Sequence, residues 1–265
     1  MTGISSADNP HFKRLRRLVE SGRERRKSGL SLLDGVHLIE AYREHVGEPE
    51  EIVASRSALA NPEVQRLLSC GKRAALILPD ALFRELSSVA TPTGIMAVVA
   101  LPAPRHAPAA DLGPCLLLDG VQDPGNVGSI LRSAAAFGVR DVLLGIGCAQ
   151  AWSPRVLRAG MGAHFALRLY EQCDLEAFAR HYRGTLIATA RDAEEPVYRA
   201  NLRGDVGLLL GSEGAGLSPA LAALAHTAVR IPMPGQAESL NVAGAAAICL
   251  YERARQLAAH PPHMR

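Results

Sequence analysis

Arg132 stands on a stretch of small and apolar residues, Ile130, Leu131, Ser133, Ala134, Ala135 and Ala136. A charge in such company needs a partner or a function. Asn126 lies six residues upstream in a loop, and two later loops carry Glu213, Ser239 and Asn241. Each loop follows an apolar, strand-like run and leads into a helical pattern. Residues 116–139 read LLLDGVQDPGNVGSILRSAAAFGV, residues 207–217 read GLLLGSEGAGL, and residues 230–250 read RIPMPGQAESLNVAGAAAICL. In α/β proteins ligands bind at such junctions, outside the carboxyl ends of parallel strands. Three of them in one region predict a composite site whose polar side chains are few.

The residue types bound its chemistry. Glycines at 211, 214 and 216 let backbone groups approach a flat ligand without Cβ obstruction. Leu210, Ile231, Met233 and Leu240 can close over it. Arg132 has either a function or the plainer role of a surface arginine or a structural ion pair, with Glu213 as the candidate partner, and a guanidinium is an awkward base. Asn126 suits loop shaping and helix initiation, and Asn241 falls where it could cap the last helix. Glu213 could equally contact a substrate. Nucleotide fingerprints do not fit. After Gly145 and Gly147 the third glycine position is Gln150, and residues 211–216 lack both the dinucleotide spacing and a Gly-Lys-Ser/Thr ending.

The elements that must hold these loops read as strand 115–118, helix 127–137, strand 142–144, helix 154–163 and strand 166–169. Helix 175–182, strands 185–189 and 206–210, helix 219–224, strand 228–231 and helix 241–258 follow. This is a largely parallel sheet covered on both faces. Upstream, Asp8 or Asn9 can cap a helix begun by Pro10, and Phe12, Leu15, Leu18 and Val19 give it an apolar stripe. After a basic turn, strands at 30–33, 52–55, 74–78 and 95–101 alternate with helices at 36–45, 62–69 and 81–89, a small α/β sandwich. Residues 102–113, rich in Pro and Ala, form a linker, which divides the chain into domains 1–101 and 114–265.

Composition narrows the class. The chain has 265 residues, 48% hydrophobic but only 4% aromatic, so base stacking on an aromatic sheet is not its mode of binding. Net charge is +3, yet residues 11–27 hold eight Lys/Arg against two Glu. Lys13, Arg14, Arg16, Arg17, Arg23, Arg25, Arg26 and Lys27 are therefore candidate phosphate contacts, with a solvated helix face as the alternative. Five cysteines without CxxC spacing point to a reduced, intracellular chain with no disulfide framework and no zinc site. No signal core and no apolar run near 18 residues is present, which predicts a cytoplasmic protein. His260 and His263 read as a frayed tail rather than metal ligands, and no metal is expected.

DPGNVGSILRSAAAFG, GSEGAGLS and IPMPGQAESLNVAGA, in this order and spacing, resemble the three motifs of the SpoU (TrmH-type) RNA 2'-O-ribose methyltransferases of the SPOUT class. The resemblance spans residues 116–252. It implies S-adenosylmethionine as cofactor, held by positions matching Gly211, Ile231 and Leu240, with Thr189 a further candidate. It implies Arg132 as the catalytic residue beside the target 2'-hydroxyl, with Asn126, Glu213 and Asn241 lining the active site. A trefoil knot and a homodimer formed by helices near it rest on the resemblance alone. The opening ISSADNPHFKRLRRL, with LLDGVHLIEAY and TPTGIMAVV, resembles the family's N-terminal substrate-binding domain, similar to ribosomal protein L30e. That domain makes rRNA the favoured substrate over tRNA. Two departures stand out: Asp34 replaces the usual Glu, and Ala243 replaces a serine of the third motif, so a hydroxyl near the reacting centre is missing. A non-catalytic RNA-binding or ribosome-assembly protein is the alternative, and a base methyltransferase of the same superfamily a third reading.

Overall fold

The computed structural model describes residues 2–71, 74–105, 108 and 110–259, so His260 and His263 lie outside the described residues. The chain separates into two compact units. One comprises residues up to Ala103 together with Trp152–Phe165, the other Pro104–Ala151 with Ala166–Arg265.

In the first unit, β1 (Thr2–Gly3) precedes α1 (Pro10–Glu20). Asn9, rather than Asp8, caps α1 by accepting from the His11 amide at 2.8 Å. Phe12, Leu15 and Leu18 share its buried face, each burial stabilising by about 1.5–3 kcal/mol. The expected basic turn is instead a second helix, α2 (Gly22–Ser28), capped by Ser21 and ended by Gly29 at φ 67°. It lacks apolar periodicity, which is why the pattern reads as a turn.

α2 also corrects one assignment. Arg25 is buried, and its Nη1 donates to the carbonyls of Leu18 at 2.7 Å and Val19 at 2.9 Å. These are carbonyls of the last turn of α1, which the helix itself cannot satisfy. Arg25 therefore fastens α2 to α1 and does not face a phosphate backbone.

The unit continues through β2 (Leu30–Asp34), α3 (Val36–His45), β3 (Glu51–Ser55) and α4 (Pro62–Ser69). β4 (Leu76–Leu78), α5 (Asp80–Leu86) and β5 (Ile95–Ala100) complete the run. The sheet order is β1-β4-β3-β5-β2, parallel at β1–β4–β3 and antiparallel where β5 meets β3 and β2. The period of two along β5 sends Ile95, Ala97 and Val99 into one core, with α3 and α4. Met96 and Val98 enter a second core with α1 and α5. The result is a helix–sheet–helix sandwich.

β6 (Cys115–Asp119), α6 (Pro124–Ala136) and β7 (Asp141–Gly145) open the second unit. The chain then gives Trp152–Phe165, which carries α7 (Pro154–Gly160), to the first unit. There Leu157 joins the core shared by α3 and α4, and Ser31 Oγ donates to the Trp152 carbonyl at 2.7 Å. Trp152–Phe165 lies within the expected domain 114–265 in sequence and belongs to the first compact unit. Its pattern specifies a helix but not which core receives it. α7 ends at Met161, whose φ of 47° breaks the helix before the expected 163.

The second unit resumes with β8 (Arg168–Cys173), α8 (Leu175–His181), β9 (Thr185–Thr189) and β10 (Glu195–Pro196). It ends with β11 (Val206–Gly211), α9 (Pro219–Ala222), β12 (Thr227–Arg230) and α10 (Val242–Ala259). Its seven strands, ordered β10-β12-β9-β11-β6-β7-β8, pair in parallel throughout. Helices on both faces bury the central strands fully, so β6, β7 and β11 are apolar without alternation.

Asp34 ends β2 as a buried carboxylate. Its Oδ2 accepts from Ser87 Oγ at 2.7 Å, and Arg158 Nη1 lies 3.7 Å from Oδ1. Burial raises its pKa above the ordinary 3.8, only partly offset by Ser87, Arg158 and the Ser88 amide. The folded state thus holds this proton more tightly than the unfolded chain. Stability is lost as pH rises through the raised value. Asp34→Asn is expected to raise the melting temperature near neutral pH and to lose that advantage in acid, as thermal melts across pH would record.

Candidate active site

Three strand ends converge in the second unit. β6 and β11 are paired so that Asp119 lies level with Gly211. Asp119 Oδ2 then accepts from the Ser218 amide at 2.7 Å, tying the loop after β11 to the end of β6. Thr189, at the end of β9, donates its hydroxyl to the Leu209 carbonyl at 3.0 Å. The loop after β11 folds back on itself through reciprocal 3.0 Å hydrogen bonds between the backbones of Ser212 and Gly216. Gly216 adopts φ +70°, and a Cβ on Gly211 would collide with the backbone of Gly216 and Leu217. Glycine is required there for close approach.

These loops surround a cavity of about 770 Å³, within the range that holds small-molecule ligands. Thr189, Gly211, Ile231, Met233 and Leu240 all line it, as do Glu213 and Asn241. The walls are mainly apolar side chains and exposed backbone of the 211–216 loop. They fit a flat heteroaromatic group with a few directional polar contacts.

At this site a polar chain links the three motif segments. Asn241 Nδ2 donates to Asn126 Oδ1 at 2.9 Å, and Asn126 Nδ2 donates to Glu213 Oε1 at 2.7 Å. The backbone of Asn126 and the other end of the Asn241 amide are also held. The Asn126 backbone N–H donates to Asp123 Oδ1 at 2.8 Å within the first turn of α6. Asn241 Oδ1 accepts from the Ala243 and Gly244 amides, capping α10 as expected. Burial pushes the Glu213 carboxyl up, but hydrogen bonds from Asn126, its own amide, and the amides of Gln122 and Asp123 outweigh that. Its pKa is held below the ordinary value, so the site carries a fixed negative charge at neutral pH.

The candidate ion pair of Arg132 with Glu213 is not formed; Glu213 accepts from Asn126 instead. Arg132 is exposed on α6, and six residues at 100° each turn it about a third of a circle away from Asn126. Among the described residues it makes no hydrogen bond or ion pair. Ala243 is half-buried and does not line the cavity. Among the charged lining residues, sequence reasoning missed Arg191 and Asp192. Their place just past the end of β9 is the signal that could have found them. Among the described residues no group of three or more His, Cys, Asp or Glu could hold a metal ion, and no helix is long and apolar enough to cross a membrane.

The chain is similar to known proteins over most of its length. Residues 114–251 match the SpoU rRNA Methylase family, and residues 9–97 match the MRM3-like substrate binding domain. A 23S rRNA (guanosine(2553)-2'-O)-methyltransferase of Bacillus subtilis is 32% identical over 95% of this chain and 98% of its own length. A crystal structure of an RNA 2'-O ribose methyltransferase superimposes with a TM-score of 0.83 at 35% identity, covering 97% of this chain and all of the other. The SpoU methyltransferase AviRb from Streptomyces viridochromogenes, in complex with AdoMet, gives 0.82 at 30% identity over 94% of this chain and 98% of its own.

Proposed function

The chain belongs to the SpoU rRNA methylase family, and from that premise we propose how its own residues carry the reaction. It is an RNA ribose 2'-O-methyltransferase that uses S-adenosylmethionine, with rRNA favoured over tRNA. The observation that carries the assignment is the Asn241–Asn126–Glu213 chain beside the cavity. It joins all three motif segments where a cofactor and a substrate must meet.

Bound S-adenosylmethionine supplies a methyl group on a sulfonium, already a good leaving group. The protein's task is therefore alignment and help for a weakly acidic hydroxyl. Gly211, Ile231, Leu240, Thr189 and Met233 would hold the cofactor, and backbone groups of the 211–216 loop would offer polar contacts to its adenine. Asn126, Glu213 and Asn241 hold the three loops in register around the reacting atoms. Arg132, exposed and without a hydrogen-bond or ion-pair partner among the described residues, stabilises the alkoxide that develops on the ribose and engages the neighbouring RNA phosphate. Ala243 contributes its amide to the Asn241 cap and has no hydroxyl to offer, so proton transfer proceeds without one from this position.

In this reading the first unit selects the RNA. Lys13, Arg14, Arg16, Arg17, Arg23, Arg26 and Lys27 contact phosphates; all seven are exposed. Lys13 and Arg16 are paired with Asp8 and Glu20 on the surface, and such exposed pairs are weak enough to exchange for phosphates. Two copies associate through α6 and α10, where Tyr251 and Ile248 are 58% and 38% exposed and Tyr251 meets Phe137 edge-on. A trefoil knot in the second unit and action in the cytoplasm complete the proposal.

The test is incubation with methyl-labelled S-adenosylmethionine and unmodified rRNA or tRNA. Label is expected in rRNA. Label in tRNA alone would overturn the substrate preference, and label in neither would overturn the activity.

A further inference from the structure

One place on the cavity wall carries charge that the adenine bed and the Asn–Glu chain leave unused. Past β9, the Ala193 amide donates to the Ala190 carbonyl at 3.5 Å, closing a turn whose central residues are Arg191 and Asp192. The Ala190 amide donates to the Val229 carbonyl at 3.0 Å, which anchors the turn to β12. Both central residues line the cavity, and Arg191 Nε lies 3.2 Å from Asp192 Oδ1. Arg191 is the sole cationic side chain among the described lining residues. Of the two lining carboxylates, Glu213 is engaged by Asn126, which leaves Asp192. The side chains are 62% and 86% exposed, so their mutual ion pair is weak and exchangeable.

A positive and a negative group side by side on one turn match a ligand that carries the opposite pair on one carbon. The amino-acid end of S-adenosylmethionine is such a group. We propose that Arg191 and Asp192 are the receptor for that end of the cofactor. On binding, their mutual ion pair opens. The Arg191 guanidinium takes the ligand carboxylate in a charge-assisted, fork-like contact, and the Asp192 carboxylate takes the ligand ammonium. The proposal rests on the reading of this cavity as the cofactor site and adds the residues that distinguish a complete cofactor from a bare thioadenosine.

The test compares two ligands by calorimetric titration. S-adenosylhomocysteine carries the amino-acid end, whereas 5'-methylthioadenosine keeps the adenosine and thioether without it. Arg191→Ala is expected to weaken S-adenosylhomocysteine by about tenfold or more, the scale of a lost hydrogen bond to a charged group, and to leave 5'-methylthioadenosine within about twofold. Asp192→Asn is expected to act in the same direction on the same ligand. Arg191→Lys, which keeps the charge but not the fork, falls between. Equal loss of both ligands in Arg191→Ala, or no loss of either, overturns the assignment. If neither ligand binds the unmodified protein, the cofactor reading itself fails, an outcome separate from the first two.

Discussion

Arg132→Ala is expected to lower the rate of methyl transfer by about a hundredfold or more, the range seen when one preorganised charge-stabilising donor is removed from an active site. Cofactor affinity and melting temperature are expected to stay close to those of the unmodified protein. The separation follows from placement. Arg132 is exposed on α6, holds no partner among the described residues, and does not line the cavity. Exposed substitutions away from caps and cores change stability by only about 0.5 kcal/mol in either direction. The loss would therefore report chemistry and not folding. Arg132→Lys retains charge without the planar fork and is expected to recover only part of the rate. Single-turnover kinetics beside calorimetric titration of S-adenosylhomocysteine make the comparison. Near-full turnover in the lysine variant, with an unchanged pH profile, would remove the specific guanidinium role.

Gly211→Ala is expected to act through the opposite link, from packing to affinity. Gly211 is buried at the end of β11, and a Cβ there would run into the backbone of Gly216 and Leu217. Backbone cannot rotate aside as a long side chain could. The loop must open, breaking the Ser212–Gly216 hydrogen bonds and moving Glu213 away from Asn126. Overpacking of this kind costs about 1–3 kcal/mol, and the loop that opens is the cofactor bed. A lower melting temperature together with at least about tenfold weaker S-adenosylhomocysteine binding is expected, since each 1.4 kcal/mol is a factor of ten. Gly214→Ala is the control for stability. Nothing lies within 4 Å of its Cβ position, so its melt is expected to match that of the unmodified chain. An unchanged melt and affinity in Gly211→Ala would show that the loop is softer than its packing implies.

Much of this was legible before any coordinates. Apolar runs breaking into Gly/Asn/Ser loops place the strand ends, and parallel-sheet geometry then obliges those ends to share one edge. Thr189, Gly211, Ile231, Met233 and Leu240 accordingly meet at one cavity. Asn241 could be read as a cap because capping is local, decided within three residues of chain. What could not be read depends on distant side chains competing for one another. Arg25 and Arg26 are adjacent in a basic run, yet only Arg25 turns inward to the α1 carbonyls. Glu213 had two candidate partners in Arg132 and the substrate, and a third, Asn126, holds it. The segment Trp152–Phe165 joins the first unit through Leu157 and Ser31, a choice between two apolar cores that periodicity does not encode. Arg191 and Asp192 belong to a turn with no motif, so only their position past a strand end marks them.

The most direct measurement locates the transferred methyl group. Unmodified rRNA is labelled with the unmodified protein and methyl-labelled S-adenosylmethionine, then hydrolysed in alkali. A 2'-O-methyl group blocks the attack of the neighbouring hydroxyl that cleaves RNA. The predicted result is label in alkali-resistant dinucleotides, absent when Arg132→Ala replaces the unmodified protein. Label recovered only in mononucleotides would place the methyl on a base and contradict the account.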